Sequence, residues 1–476
     1  MLNFFSIIQK MINTKSLVKY FLITIFSWNL LYSFDYFNPN YFRQALSDDT
    51  FYFQYYFLVI KDVLLFIFLI LSLSKFYNNN FFLKIIIITF LLISIITLLK
   101  VFFYRIGDLY LVLPYKNIFL PMSLIYVSQY ISFKNFISIF KIVTVILFLT
   151  FFYQIFYMYP VQSYQSVQEK LIILEQWHSG FVSGRAIGSL GSPNSLGKFT
   201  AEILLIFLAY IYNNSKKNKK TINLLKYNDN LKSIIFDFII LSILIFIIFF
   251  SQTISVIISL TGVFLINLFL NFKKLKLSSI KTITLLFSFI AASCVILFYY
   301  PEIYSLYIIR LHNLSNFIPL LKSTDLNNFI LDKSFSFRQF ESINPGFGTF
   351  SERFDDFTLL KNCFQNDLLK VFLFGCNYRF DSANLGVVNF ILNFGLFTFI
   401  LIIYFLSSLL RTKLQNQLDP QQKLIDNIMK NMIIFFIIIS FPSKIFEISI
   451  VNYIFFIMLG YFLNDFKIKN TKCTLF

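Results

Sequence analysis

The sequence predicts an all-α polytopic membrane protein with about twelve transmembrane helices, and three observations predict it. First, 476 residues that are 57% hydrophobic and 13% charged, with a mean hydropathy of +0.71, leave too little polar surface to coat a soluble globule. Second, apolar runs of roughly 18 residues or more recur along most of the chain. Third, Lys and Arg gather in short segments between those runs. In hydrocarbon a helix satisfies every backbone N–H and C=O within one segment, whereas a barrel shows short alternating stretches, so the runs read as helices.

In chain order the expected spans are Ser16 to Phe34, Tyr52 to Leu73, Phe81 to Leu99, Ile118 to Ile131, Phe136 to Tyr159 and Leu196 to Tyr212. They continue with Ile234 to Phe250, Thr253 to Leu270, Ile283 to Tyr300, Val387 to Leu410, Met432 to Phe441 and Ile448 to Leu463. Pro121 interrupts the fourth and the eleventh is short, so each reads equally as re-entrant or as extended by polar flanks. No internal repeat and no Gly/Ser-rich or Pro-rich linker divides the chain, so residues 1–476 are expected to form a single polytopic membrane domain.

Orientation follows from the basic loops. Lys216, Lys217, Lys219, Lys220, Lys226 and Lys232 fill one, and Lys273, Lys274, Lys276 and Lys281 the next; both belong in the cytoplasm. Arg411, Lys413, Lys423, Lys430, Lys467, Lys469 and Lys472 fall on that side too if the spans alternate, which makes both termini cytoplasmic. The net charge of +18 is then a topology signal, helped by anionic lipid, and nucleic acid is not expected as a partner. Behind Phe4, Phe5, Ile7 and Ile8 there is no small-residue cleavage site, so no cleaved signal peptide is expected. Two outward loops result, residues 160–193 and 301–386, the second far longer than a tight connection and rich enough in apolar residues to fold into short packed helices.

The available chemistry is narrow. With His178 and His312 the two imidazoles, Cys294 in a span and Cys473 in the tail, no Cys/His cluster has zinc spacing, so neither a metal nor a cofactor is expected. Walker loop, dinucleotide fingerprint and nucleophile elbow are all missing from the sequence. Cys363 and Cys376 share the large loop, where an oxidising compartment permits a disulfide that spacing alone does not decide.

Two segments carry more than topology. The first, Ser183 to Phe199, reads SGRAIGSLGSPNSLGKF and places Arg185 on an outward loop ahead of Gly188, Gly191, Pro193, Asn194 and Gly197. Glycines admit close backbone approach, and a helix starting after Pro193 and Asn194 offers its positive end to an anion. The same residues also make an ordinary Gly/Pro turn with a capping Asn. The second segment runs from SERFDDFTLLKNCF through LLKVFLFGCNYRFDSANLG into VVNFILNFGLFTFILIIYFL: Arg353, an amphipathic helix, an FxFG turn, then Asp381 and Asn384 at the mouth of a span.

This order, together with GRxxGxxGxPNxxG and a large loop before the last three spans, resembles the O-antigen polymerase and O-antigen ligase superfamily of bacterial envelope glycosyltransferases. The resemblance implies a GT-C-like membrane fold in the bacterial inner membrane. It also implies a metal-independent, extracytoplasmic transfer of saccharide carried on undecaprenyl diphosphate, with a chain-length regulator and a flippase as accompanying proteins. Arg185 and Arg353 stand where such proteins keep outward-loop arginines. Guanidinium suits that task, since its forked donors stay protonated and offset charge developing on a diphosphate leaving group. Asp381 reads as a general base or as a helix cap, Asn384, Gly188, Pro193, Asn194 and Gly197 as substrate-binding positions, and His178 as a phosphate or sugar contact or as neither.

Ligases of the superfamily carry a His-containing motif just ahead of the span after the large loop. Here that stretch reads RFDSANLGVVNFILNFG without His, which favours polymerase over ligase. Arg338 and Arg379 read as solvated loop residues, and Asp355 and Asp356 as partners for Arg353. Within spans the polar residues singled out are Lys61 with Asp62, Asp237, and Asn389 with Asn393, the Asn pair either lining a cavity or bonding between helices. A lipid-linked saccharide flippase, from another class, shares the span count but favours compact connections and two similar halves.

Overall fold

Two helices begin at proline, Pro193 and Pro420, where the missing N–H would have no helical partner anyway. They run on through apolar sequence until polar residues or glycine release them. The computed structural model describes residues 15–31, 62–66, 91, 95, 120–157, 181–182, 185–186, 193–217, 224–251, 253–271, 348–376, 385–411, 420–443 and 449–465.

In order these form α1 (Lys15–Leu31), α2 (Leu120–Met122) leading directly into a 3₁₀ helix (Ser123–Gln129), and α3 (Phe133–Tyr157). A two-residue antiparallel hairpin follows, β1 (Phe181–Val182) with β2 (Arg185–Ala186), in which Val182 pairs with Arg185. The remaining helices are α4 (Pro193–Lys217), α5 (Leu224–Ser251), α6 (Ile254–Asn271), α7 (Gly348–Asn366), α8 (Leu368–Leu373), α9 (Gly386–Arg411), α10 (Pro420–Ser440) and α11 (Ser449–Asp465). The architecture is helical and compatible with a membrane protein. Among the described residues three helices are long and apolar enough to cross a bilayer, Phe133–Phe151, Asn194–Ile211 and Gly386–Arg411. Shorter apolar stretches lie at Ile239–Phe249, Ser255–Asn267 and Val451–Leu463.

Most expected spans coincide with these helices, and two differ. The segment expected at Ile118 to Ile131 is not a continuous α-helix: after Pro121 it tightens into 3₁₀ form. At about 1.5–2.0 Å per residue, residues 120–129 reach well short of a roughly 30 Å hydrocarbon core. It packs instead along α11, so closely that a Cβ on Gly460 would sit 2.1 Å from the Ile125 carbonyl oxygen, and the Tyr461 hydroxyl donates to the Ile131 carbonyl at 2.8 Å. The short expected span at Met432 is extended by its polar flank back to Pro420, because GlnGlnLys followed by an apolar stripe continues the helix without a breaker. The span expected at 283–300 lies outside the described residues; those at 52–73 and 81–99 are represented by helical residues 62–66, Leu91 and Ile95.

Packing places α4 centrally, against α5, α6, α10 and α11. Between apolar helices in lipid there is little hydrophobic gain, so close packing and buried polar ties hold the bundle. Phe26 of α1 meets Phe140 of α3 edge-on at 5.3 Å and reaches Phe199 of α4 and Tyr453 of α11 at 6.3 Å, joining four helices at one ring. Such pairs contribute about 0.5–1.5 kcal/mol each beyond buried area. Lys141 of α3 forms an ion pair with Asp237 of α5, its ammonium lying 5.8 Å from the Tyr210 ring of α4. Asn267 of α6 donates to Asn431 of α10 at 2.7 Å. Apolar side chains such as Leu149, Ile239, Ile258, Ile400 and Tyr404 remain exposed on the outer faces, as lipid-facing positions require.

Candidate functional site

Each of the two sequence segments is fixed by its own set of contacts. The start of α4 lies against the end of α5 and the start of α6. At Gly197, one turn into α4, an added Cβ would lie 2.8 Å from Thr253 Oγ1 and 2.9 Å from Ser251 Oγ. Those hydroxyls are 3.2 Å apart, and Ser251 also donates to the Ile248 carbonyl at 2.7 Å. Gly197 thus permits a close approach of α4 to the chain at Ser251 and Thr253. Pro193 opens α4, and Asn194 is exposed in its first turn. Arg185 lies on β2, and this strand touches α5.

The second segment is braced by carboxylate caps, a disulfide and close backbone packing. Asp356 of α7 is buried and accepts from the Leu385 N–H at 2.7 Å, one residue before α9, so a carboxylate from a distant helix satisfies an orphan donor at this helix start. A disulfide joins Cys363 to Cys376, with Cα atoms 6.2 Å apart, and both cysteines belong to a small apolar cluster with Val371, Leu385, Val388, Ile391 and Leu392. Asp367 caps α8 by accepting from the Lys370 N–H at 3.0 Å.

The FxFG turn then docks backbone to backbone on α9. Gly375 has φ +77° and the Cys376 N–H donates to the Leu392 carbonyl at 2.8 Å. Opposite it, α9 breaks at Gly395, with φ +82° and ψ 159°, a conformation open essentially to glycine alone. Farther out, a Cβ on Gly386 would sit 2.5 Å or less from the Ser440 and Ser443 carbonyl oxygens, so the start of α9 lies against the end of α10. Arg353 is carried on α7 three residues before Asp356, on a helix held in this frame.

Of the remaining residues read from sequence, His178, Gly188, Asp381 and Asn384 lie outside the described residues. Asn389 and Asn393 are buried, and the Asn393 amide donates within its own helix to the Asn389 backbone oxygen at 2.7 Å. Sequence reading passed over a second polar pair. Lys198 and Glu202 sit one turn apart on α4, 1% and 0% exposed, and neither Glu202 oxygen has a hydrogen-bond partner among the described residues. The signal was present as two ionisable residues at i, i+4 within an otherwise apolar run. Among the described residues no group of His, Cys, Asp or Glu is placed to hold a metal ion. No family model, no curated protein and no solved structure matches the chain.

Proposed function

We propose that the chain is a surface-polysaccharide polymerase of the O-antigen type, with about twelve spans in a GT-C-like arrangement in the bacterial inner membrane. It transfers the glycan from one undecaprenyl-diphosphate-linked unit to the terminal hydroxyl of another on the outer face, releasing undecaprenyl diphosphate. Arg185 and Arg353 neutralise the departing diphosphate, and the acceptor hydroxyl loses its proton to a base for which Asp381 is the candidate. Preorganised guanidinium at the water–lipid boundary acts in a lower dielectric than bulk water, which raises its effect on the transition state.

The observation that carries this reading is the paired order of motifs, GRxxGxxGxPNxxG ahead of one span and Arg353–FxFG–Asp381 ahead of another. The rigid bracing of the Arg353-bearing helix supports it, because catalysis by positioned charge requires a fixed frame. The Cys363–Cys376 disulfide supports an outward location for that loop. Ligase is the second reading, disfavoured by the missing His ahead of α9.

Deleting the gene should leave single repeat units on the surface carbohydrate; complete loss of repeat units would point to ligase or flippase. Arg185→Ala and Arg353→Ala should each abolish long chains at unchanged protein level, with Arg→Lys rescuing poorly because the fork is lost. Wild-type chain lengths in both alanine variants would remove the arginines from the mechanism.

A further inference from the structure

The arm formed by α7 and α8 ends in an apolar surface that nothing in the described chain covers. Leu368 and Leu369 are 67% and 69% exposed, and Phe374, just past α8, is exposed as well. Water-facing surface seldom carries adjacent apolar side chains of this size at the tip of a structured arm. The arm itself is not loose: Asp367 caps it, the disulfide closes it, and Gly375 locks it to α9.

Its height along α9 follows from helix geometry. Arg411 ends α9 on the basic side, and roughly 20 residues at about 1.5 Å each cross a hydrocarbon core of about 30 Å, which places the opposite boundary near Ile391. The arm docks at that level, through Leu392 and the Gly395 break. The lipid-facing stripe of α9 also continues onto it. Phe397, Ile400 and Tyr404 follow an i, i+3, i+7 spacing and are all exposed, and Phe397 meets Phe372 of α8 with ring centroids 6.1 Å apart.

We infer that α8 is an interfacial anchor, with Leu368, Leu369 and Phe374 seated among the acyl chains of the outer leaflet. Lys361 and Lys370, on the same two helices, add the positive charge that anionic headgroups favour. The occupant is lipid rather than a second protein, because the surface continues a face that a membrane-crossing helix already presents to lipid. The anchor sets the height of α7, and with it the level at which Arg353 is carried. It does not depend on glycosyl transfer, only on α9 crossing the bilayer.

The chain has two tryptophans, so a Trp28→Phe, Trp177→Phe background gives a silent protein for single-tryptophan reporters. Leu369→Trp in the full-length protein, in nanodiscs whose lipids carry bromine near the headgroup end of the acyl chain, should lose emission and resist aqueous iodide. Asn362→Trp, at an exposed polar position of α7, serves as the reference for iodide access. Leu369→Trp emission that iodide quenches as strongly as Asn362→Trp, with no effect of brominated lipid, would overturn the anchor. Resistance to both quenchers would overturn it too, since a protein surface would then cover α8. Leu368→Trp repeats the measurement should Leu369→Trp fail to elute as the parent does on size exclusion.

Discussion

Gly395→Ala is the substitution from which the frame of the second segment can be judged. At φ +82° and ψ 159° an L side chain costs about 1–3 kcal/mol in backbone strain. The new methyl would lie 2.8 Å from the Leu373 carbonyl carbon and oxygen and from the Phe372 oxygen. All three are backbone atoms of an arm fixed by a disulfide, so they cannot swing aside, and overpacking adds about 1–3 kcal/mol. The total, about 2–6 kcal/mol, is a large part of the roughly 5–15 kcal/mol that separates a typical native state from its unfolded ensemble. Gly262→Ala is the matched control. Its methyl would meet Ile438 Cδ1 at 2.8 Å, the flexible end of one side chain, and alanine gains about 1 kcal/mol of helix propensity, so the two effects nearly cancel. Heating detergent-solubilised protein and following the monodisperse peak on fluorescence size exclusion should show the Gly395→Ala midpoint falling by about 2–6 °C. Gly262→Ala should stay near the parent. Equal midpoints for the two variants would refute the backbone lock between the FxFG turn and α9.

Further expectations follow from other contacts. Asp356→Ala leaves the Leu385 N–H without its acceptor and should destabilise by about 1–3 kcal/mol, with Asp356→Asn milder because an oxygen remains; a thermal midpoint unchanged in Asp356→Ala would refute the cap. Intact-mass analysis after alkylation without reductant should find Cys363 and Cys376 protected. Reduction should cost about 3 kcal/mol for a loop of this length, whereas two free thiols in unreduced protein would contradict the bond. Lys141→Ala strands Asp237 in the bundle at a cost of about 3 kcal/mol, and the Lys141→Ala, Asp237→Ala double variant should recover most of it, as a double-mutant cycle on folded yield would show. Glu202→Met replaces a buried carboxyl that has no hydrogen-bond partner among the described residues with an apolar side chain of similar size and should raise stability by about 1–4 kcal/mol; a fall would mean that the carboxyl has a partner in the native membrane.

Periodicity and composition made the helices legible because a span must be apolar along its whole length, a property that survives in a linear string. Proline and glycine were legible only in part. Pro193 starts a helix as expected, and the FxFG turn is a turn, but nothing local to Gly395 announces that α9 breaks there, because the break answers a second backbone lying against it. The candidate site was legible as a list of residue types. Its wiring was not: Asp356 stands beside Arg353 in sequence yet bonds Leu385, 29 positions away.

What the sequence determined by itself was the apolar, helical character of the chain, since this depends on transfer free energies that add residue by residue. Tertiary structure alone decided that Gly197 packs on Ser251 and Thr253, that a carboxylate of α7 completes the start of α9, and that Glu202 is sealed in the bundle without a partner among the described residues. Those outcomes depend on which surfaces meet. In a bilayer, where apolar faces are nearly interchangeable, the choice rests on a few close approaches and polar ties between residues far apart in the chain.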